Sequence, residues 1–373
     1  VFFMVDPSRL GEALAVIASH ATDVDRDAAF PTASINALRE VGALGLVSAT
    51  SHGGAGLGLA AAVDAVERTA RACASSAMVL CMHYAGAVVI EKLGDVRTRE
   101  EIAAGRHLST LAFSEQGSRS HFWAPLSTAT RDGDRVRLDA KKSWITSAHH
   151  ATAFVWSSVG TAGEGSSLWL VPRETANVRV SAGFDGLGMR GNDSAPVTAE
   201  GAFIPAAKLL GEDGKGGDVM LGVVLPWFAC MNAACSVGIM ERALAGTLAH
   251  ITATRHEHLG TSLADLPTIR AYVARMKLAT DQARALLDDA VRAIEGGRPD
   301  ASLRVLEVKA AAGEAATVVT DLAMRVCGGA AFRKELGVER ALRDARAAGV
   351  MAPTTDQLYD FLGRALAGLP LFG

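Results

Sequence analysis

Asp132-Gly133-Asp134-Arg135-Val136-Arg137-Leu138 decides the architecture. An Asp-Gly turn followed by residues that alternate polar and apolar reads as a hairpin feeding a strand with one buried face. Ser167-Leu168-Trp169-Leu170-Val171-Pro172 reads as another strand, and Val178-Arg179-Val180 and Ala202-Phe203-Ile204-Pro205 continue the pattern. Residues 111–220 therefore predict a small β domain, a barrel or sandwich.

On both sides of it the chain changes period. Residues 1–110 are Ala-rich with helical spacing, and Phe30-Pro31-Thr32-Ala33-Ser34 marks a helix entry. Ser51-His52-Gly53-Gly54-Ala55-Gly56-Leu57-Gly58 looks like a dinucleotide fingerprint, but no strand precedes it, so it reads as a turn between helices. Beyond the β region, Ile269, Val273, Met276, Ala283, Leu287, Val291 and Ile294 recur at spacings of three, four and seven. They form one apolar stripe on a helix about 45 Å long at 1.5 Å per residue. Gly296-Gly297-Arg298-Pro299 stops it, and the helix opened by Pro299-Asp300 runs to Gly328-Gly329. Long antiparallel helices of this kind predict a bundle over residues 221–373. The fold class is α+β, mostly α: an N-terminal helical domain (1–110), a middle β domain (111–220) and a C-terminal four-helix bundle (221–373).

At 373 residues, with 49% hydrophobic and 21% charged residues and a formal net charge of -3, the chain has room for two or three domains and a large core. That charge favours neither nucleic acid nor an anionic membrane as partner. No apolar run is expected to reach the roughly 20 residues of a membrane span. Val1-Phe2-Phe3 before Met4 is too short for a signal-peptide core. Five cysteines without a CxxC pair or zinc spacing predict buried free thiols, no metal, and a cytoplasmic setting.

Several segments, in this order, resemble the acyl-CoA dehydrogenase family. Leu111-Ala112-Phe113-Ser114-Glu115-Gln116-Gly117-Ser118-Arg119-Ser120-His121 is similar to its Thr-Glu-Pro-x-x-Gly-Ser-Asp segment, and Lys142-Ser143-Trp144-Ile145-Thr146 to its Lys-x-Trp-Ile-Thr. Gly186-Leu187-Gly188-Met189-Arg190-Gly191 and Ile204-Pro205-Ala206-Ala207-Lys208-Leu209-Leu210-Gly211 resemble the end of its β domain. Val326-Cys327-Gly328-Gly329 and Arg340-Ala341-Leu342-Arg343-Asp344-Ala345 resemble its C-terminal signature.

The resemblance implies FAD. It places Ser114 and the backbone of Leu111 and Phe113 at the flavin's pyrimidine edge, Trp144 against the ring, Thr146 toward N5 and Ser120 at the pyrophosphate. It also implies a homodimer or homotetramer in which one subunit completes a neighbour's cofactor site. The carrier would be Arg255-His256-Glu257-His258-Leu259-Gly260, one residue longer than the family's Arg-x-x-Phe-Gly, with Leu259 for Phe. Arg255 is the implied pyrophosphate contact, with His256 competing. Arg325 stands for the usual Gln before Gly328-Gly329, whose missing side chains let a backbone approach phosphate. Thr354 matches the Thr beside the family's base, and Asp356 lies near the same cofactor-facing loop.

The base itself is missing. Dehydrogenating an acyl thioester requires removal of an α-proton while the flavin takes a β-hydride, and the family uses a desolvated glutamate for the proton. Its position falls on Ala352, followed by Pro353 instead of Gly, which biases Ala352 toward extended geometry. A minority of the family carries the glutamate on the first bundle helix, a position that falls on Phe228, with Ala229 replacing the arginine that follows it. Substitute bases are Glu257, Asp356 and His83, the last beside Tyr84 on an N-terminal helix that in the family borders the substrate.

Three readings follow. The first is a flavin-dependent oxidoreductase acting on a CoA- or carrier-protein-bound acyl group or a related small molecule, passing electrons to a flavoprotein. The second is a flavin monooxygenase on the same fold that uses O2 and needs no α-proton base. The third is a catalytically incomplete flavin-binding subunit of a hetero-oligomer.

Overall fold

The computed structural model describes residues 7–118, 121–258 and 260–371. The chain forms two compact units: Val1–Ala65 with Ser75–Gly186 and Arg190–Phe228, and Val66–Ala74 with Leu187–Met189 and Ala229–Gly373.

The described residues open with α1 (Pro7–Arg26), α2 (Thr32–Glu40), α3 (Leu59–Ala72), α4 (Ala74–Leu93) and α5 (Val96–Ala103). Helix α2 starts at the expected Pro-Thr entry, and Asp95 caps α5 by accepting from the Thr98 N–H at 2.8 Å. Among the described residues seven strands follow: β1 (Ser109–Ala112), β2 (Thr128–Asp132), β3 (Arg135–Ile145), β4 (Ala153–Val159), β5 (Ser166–Pro172), β6 (Val178–Val180) and β7 (Ala195–Pro205).

The turn between β2 and β3 holds Gly133 at φ +63°, the left-handed conformation that the Asp-Gly signal requires. One sheet runs β1-β4-β5, with β1 parallel to β4; the other is antiparallel, β2-β3-β7-β6. Val136, Leu138, Ile145, Val197 and Ile204 from the second sheet meet Phe154, Trp156, Trp169 and Val171 from the first in one core. This is a sandwich. Strands β4 and β5 are buried nearly throughout, so their sequences read as apolar runs without alternation.

Next come α6 (Gly216–Val219), a π-helical turn over Met220–Val224 and α7 (Leu225–Ala253). The family-like Arg255–Gly260 turn is flanked by a two-residue ladder, β8 (Arg255–His256) with β9 (Thr261–Ser262). Helices α8 (Pro267–Glu295) and α9 (Ala301–Cys327) are the long pair expected from the apolar stripe. Met276, Ala283, Leu287 and Val291 are buried, while Ile269, Val273 and Ile294 are half-buried. Helix α9 packs against α8, α10 (Val338–Val350) and α11 (Thr355–Leu366). All five cysteines are buried free thiols.

One expectation is corrected. Ala74–Leu93, Gly216–Ala253 and Ala301–Phe332 are long and apolar enough, by length and composition, to cross a membrane. Their most apolar windows are 89%, 78% and 44% buried within the protein. A helix apolar all round is one surrounded by other protein or by lipid, and small residues such as Ala and Gly disguised these runs in the sequence.

Candidate functional site

In the first unit, strands β1 and β3 bring together the two segments that carry most of the expected cofactor residues. Ser143 N–H donates to the Ser114 carbonyl at 2.9 Å, and Gln116 N–H to the Lys141 carbonyl at 3.0 Å. Under this zipper lies an ion pair that sequence reasoning did not find. Lys142 Nζ donates to Glu115 Oε1 at 2.5 Å, and both side chains are almost wholly buried. Lys142 also donates to the Ser157 carbonyl at 2.7 Å and Ser157 Oγ at 3.0 Å. Glu115 in turn accepts from the Leu126 and Ser127 N–H groups. Burial pushes Lys142 down to about 8, against the pull of the Glu115 carboxylate.

The zipper leaves Trp144 projecting. Its φ is +58°, a conformation costly for a bulky L-residue, and its side chain is 60% exposed while stacked on Phe184 at 4.1 Å. Cost and exposure at one aromatic residue point to a ligand rather than to packing. Thr146 is buried, and its carbonyl accepts from Thr110 Oγ1 at 2.9 Å. Leu111 and Phe113 are buried and Ser114 is half-buried. Because β1 is an edge strand, one row of its main-chain donors and acceptors faces away from its sheet. Donors on an edge strand beside a projecting indole suit a planar heteroaromatic ring such as a flavin.

His83, also in this unit, is enclosed. Its Nε2 lies 2.8 Å from the Leu44 carbonyl, and its Nδ1 accepts from the Ser109 N–H at 3.0 Å. Tyr84 donates to the Ala43 carbonyl at 2.7 Å. Burial pushes His83 down to about 4, and burial with the nearby His83 pushes His107 to about 4 as well. In the unfolded chain both take up protons below about 6.5. The unfolded state therefore binds more protons between pH 6.5 and 4, so stability is full above this window and lost as pH falls through it. The loss is expected to be about 3 kcal/mol per imidazole. Urea midpoints at pH 7.5 and 5 check this; equal midpoints would contradict it.

In the second unit, Gly328 closes α9 at φ +55° and ψ -137°, which only glycine tolerates, and a Cβ on Gly328 or Gly329 would meet open space. Both are exposed, leaving room for a phosphate to approach the backbone. Arg325 is exposed and paired with Asp321 at 2.9 Å. Arg255 Nη1 donates to the Gly260 carbonyl at 3.4 Å; Glu257 is exposed and His256 half-buried. Ser120 and Leu259 lie outside the described residues.

The loop between α10 and α11 carries Ala352, half-buried, and Pro353, buried. Thr354 is the N-cap of α11 and accepts from the Gln357 N–H at 3.4 Å; Asp356 sits exposed in the first turn. Asn232 on α7 reaches the loop, its Nδ2 3.3 Å from Met351 Sδ. The family-like 187–189 and 340–345 segments also meet here. The Met189 N–H donates to Asp344 Oδ1 at 2.7 Å, and Arg242 Nη2 to Asp344 Oδ2 at 2.9 Å. A Cβ on Gly188 would stand 2.3 Å from the Arg343 carbonyl oxygen, so glycine is required for this approach.

Sequence reasoning missed Lys309. It lies on the stripe Val305, Lys309, Ala312, Ala316, Thr320, Ala323 that α9 buries. The signal was present: a lone cation at core spacing.

Family models match nearly the whole chain: "Acyl-CoA dehydrogenase, N-terminal domain" over residues 13–105, "middle domain" over 110–202 and "C-terminal domain" over 214–367. The mitochondrial short-chain specific acyl-CoA dehydrogenase of Bos taurus is 31% identical over 346 residues, 90% of this chain and 82% of that protein. Among solved structures, butyryl-CoA dehydrogenase from Megasphaera elsdenii superposes with a TM-score of 0.89 at 22% identity, covering 97% of this chain and 99% of that one. The prolyl acyl carrier protein oxidase AnaB gives a TM-score of 0.87 at 20% identity, covering 96% and 98%.

Proposed function

The chain belongs to the acyl-CoA dehydrogenase family of flavin-dependent oxidoreductases, and on that premise we propose that it oxidises an acyl thioester, borne by CoA or a carrier protein, without a carboxylate at either of the family's base positions. The observation that carries this reading is the projecting, left-handed Trp144 beside edge strand β1.

FAD, the family's cofactor, supplies hydride acceptance when bound. Around it this chain would contribute main-chain groups of Leu111 and Phe113 with Ser114 at the pyrimidine edge, the Trp144 indole as a wall, and Thr146 as a donor. Gly328 and Gly329, with Arg255 and Arg325, would receive the pyrophosphate of a neighbouring copy's cofactor in a homodimer or homotetramer. Ser120, Leu259, Thr354 and Asp356 complete the proposed set. A flavoprotein or O2 would take the electrons, and a cytoplasmic setting is part of the same proposal. The apolar residues Phe228 and Ala352 favour a second reading, oxygenation of a small substrate, because that chemistry removes no α-proton.

Purified protein given FAD is expected to hold about one flavin per chain and turn yellow, with Trp144 fluorescence quenched. Trp144→Ala should remove much of the quenching and weaken retention. Failure to retain FAD at micromolar concentration would sink the proposal. Anaerobic mixing then separates the readings. An acyl thioester oxidase or dehydrogenase bleaches with substrate alone, whereas an oxygenase turns over only with supplied reduced flavin and O2.

A further inference from the structure

We propose that Lys309 is a positioning residue whose ammonium group pins the loop between α10 and α11, and so sets where residue 352 stands. Lys309 is 1% exposed. Its Nζ donates to three main-chain oxygens, of Ala348 at 2.9 Å, Met351 at 3.0 Å and Pro353 at 2.8 Å. An ammonium has three hydrogens and no acceptor. All three are spent on these oxygens in the protonated form, so the group holds its place as a donor. Burial pushes its pKa down to about 7, and the three oxygens favour the protonated form against that push.

The choice of oxygens gives the pin its effect. The Ala348 carbonyl belongs to the last turn of α10, where helical carbonyls run out of partners and a cation is favoured. The Met351 and Pro353 carbonyls flank residue 352. With both tethered to one atom, the backbone between them cannot rotate freely, and the Cα–Cβ direction of residue 352 is set whatever side chain it bears. The pin thus maintains the geometry of a base position that no longer carries a base. Its relevance to catalysis rests on reading this as the family's base loop; the pinning itself does not.

Hydrogen–deuterium exchange on the FAD-loaded protein tests it, reading peptides over residues 349–358. Protection there depends on Met351 N–H to Ala347 O (3.0 Å) and Leu358 N–H to Thr354 O (2.9 Å). Lys309→Met is expected to speed exchange in this peptide at least about tenfold, with peptides from α8 and the β sandwich unchanged. Lys309→Arg, which still donates, is expected to restore most of the protection. Unchanged loop exchange in a folded Lys309→Met protein, or an equal rise across the whole chain, would overturn the proposal. If Lys309→Met does not fold, Lys309→Arg and Lys309→Gln decide: graded loop protection with α8 unchanged supports the pin, and equal protection overturns it. No flavin reduction is read, so a chain that failed as an acyl thioester oxidoreductase would still give a clear result.

Discussion

The ordinary straight-chain thioesters butyryl- and octanoyl-CoA are expected to bleach the bound flavin only slowly in anaerobic stopped-flow mixing. Positioned general-base catalysis is worth about 10²–10⁴-fold, and bleaching should fall short of family-like rates by at least that factor. The proposed reason is that Ala352 and Phe228, neither able to accept a proton, stand at the positions read as the family's two base sites. Ala352→Glu alone should recover little, because Pro353 still restricts the residue before it. Ala352→Glu with Pro353→Gly should recover more: the backbone carbonyl at 353 remains for Lys309, and the restriction on 352 is lifted. Rapid reduction of the unmodified protein would reveal another base. Glu257 and Asp356 are then tested first by alanine substitution, since both are exposed while His83 has both ring nitrogens engaged.

The largest stability effect is expected at Glu115 and Lys142. Breaking a buried pair by removing one partner typically costs about 3–5 kcal/mol, because the survivor keeps its desolvation penalty without its counter-charge. Glu115→Ala would also strand the Leu126 and Ser127 N–H groups, and Lys142→Met the Ser157 carbonyl. Either single change should lower the urea midpoint accordingly. It should also weaken FAD retention, since the pair underlies the zipper from which Trp144 projects. Replacing both partners with apolar residues should cost clearly less than the sum of the single losses. Additive losses in that double-mutant cycle would show that the two charges do not act as a pair.

The hairpin at Asp132-Gly133, the strands that follow and the stripe from Ile269 to Ile294 were legible in the sequence, because turn chemistry and side-chain period are local properties. So was the family, carried by short motifs in a fixed order. What only tertiary structure decided are partnerships between distant residues. Lys142 with Glu115 lies 27 residues apart, Lys309 with the loop 39 to 44, and Met189 with Asp344 155. A lysine reads as a solvated charge in sequence. Whether it is instead buried and spent on carbonyls depends on which helices pack around it, and no local pattern records that. The same limit applies to α4 and α7: hydropathy registers that a helix shuns water, but packing decides what surrounds it instead.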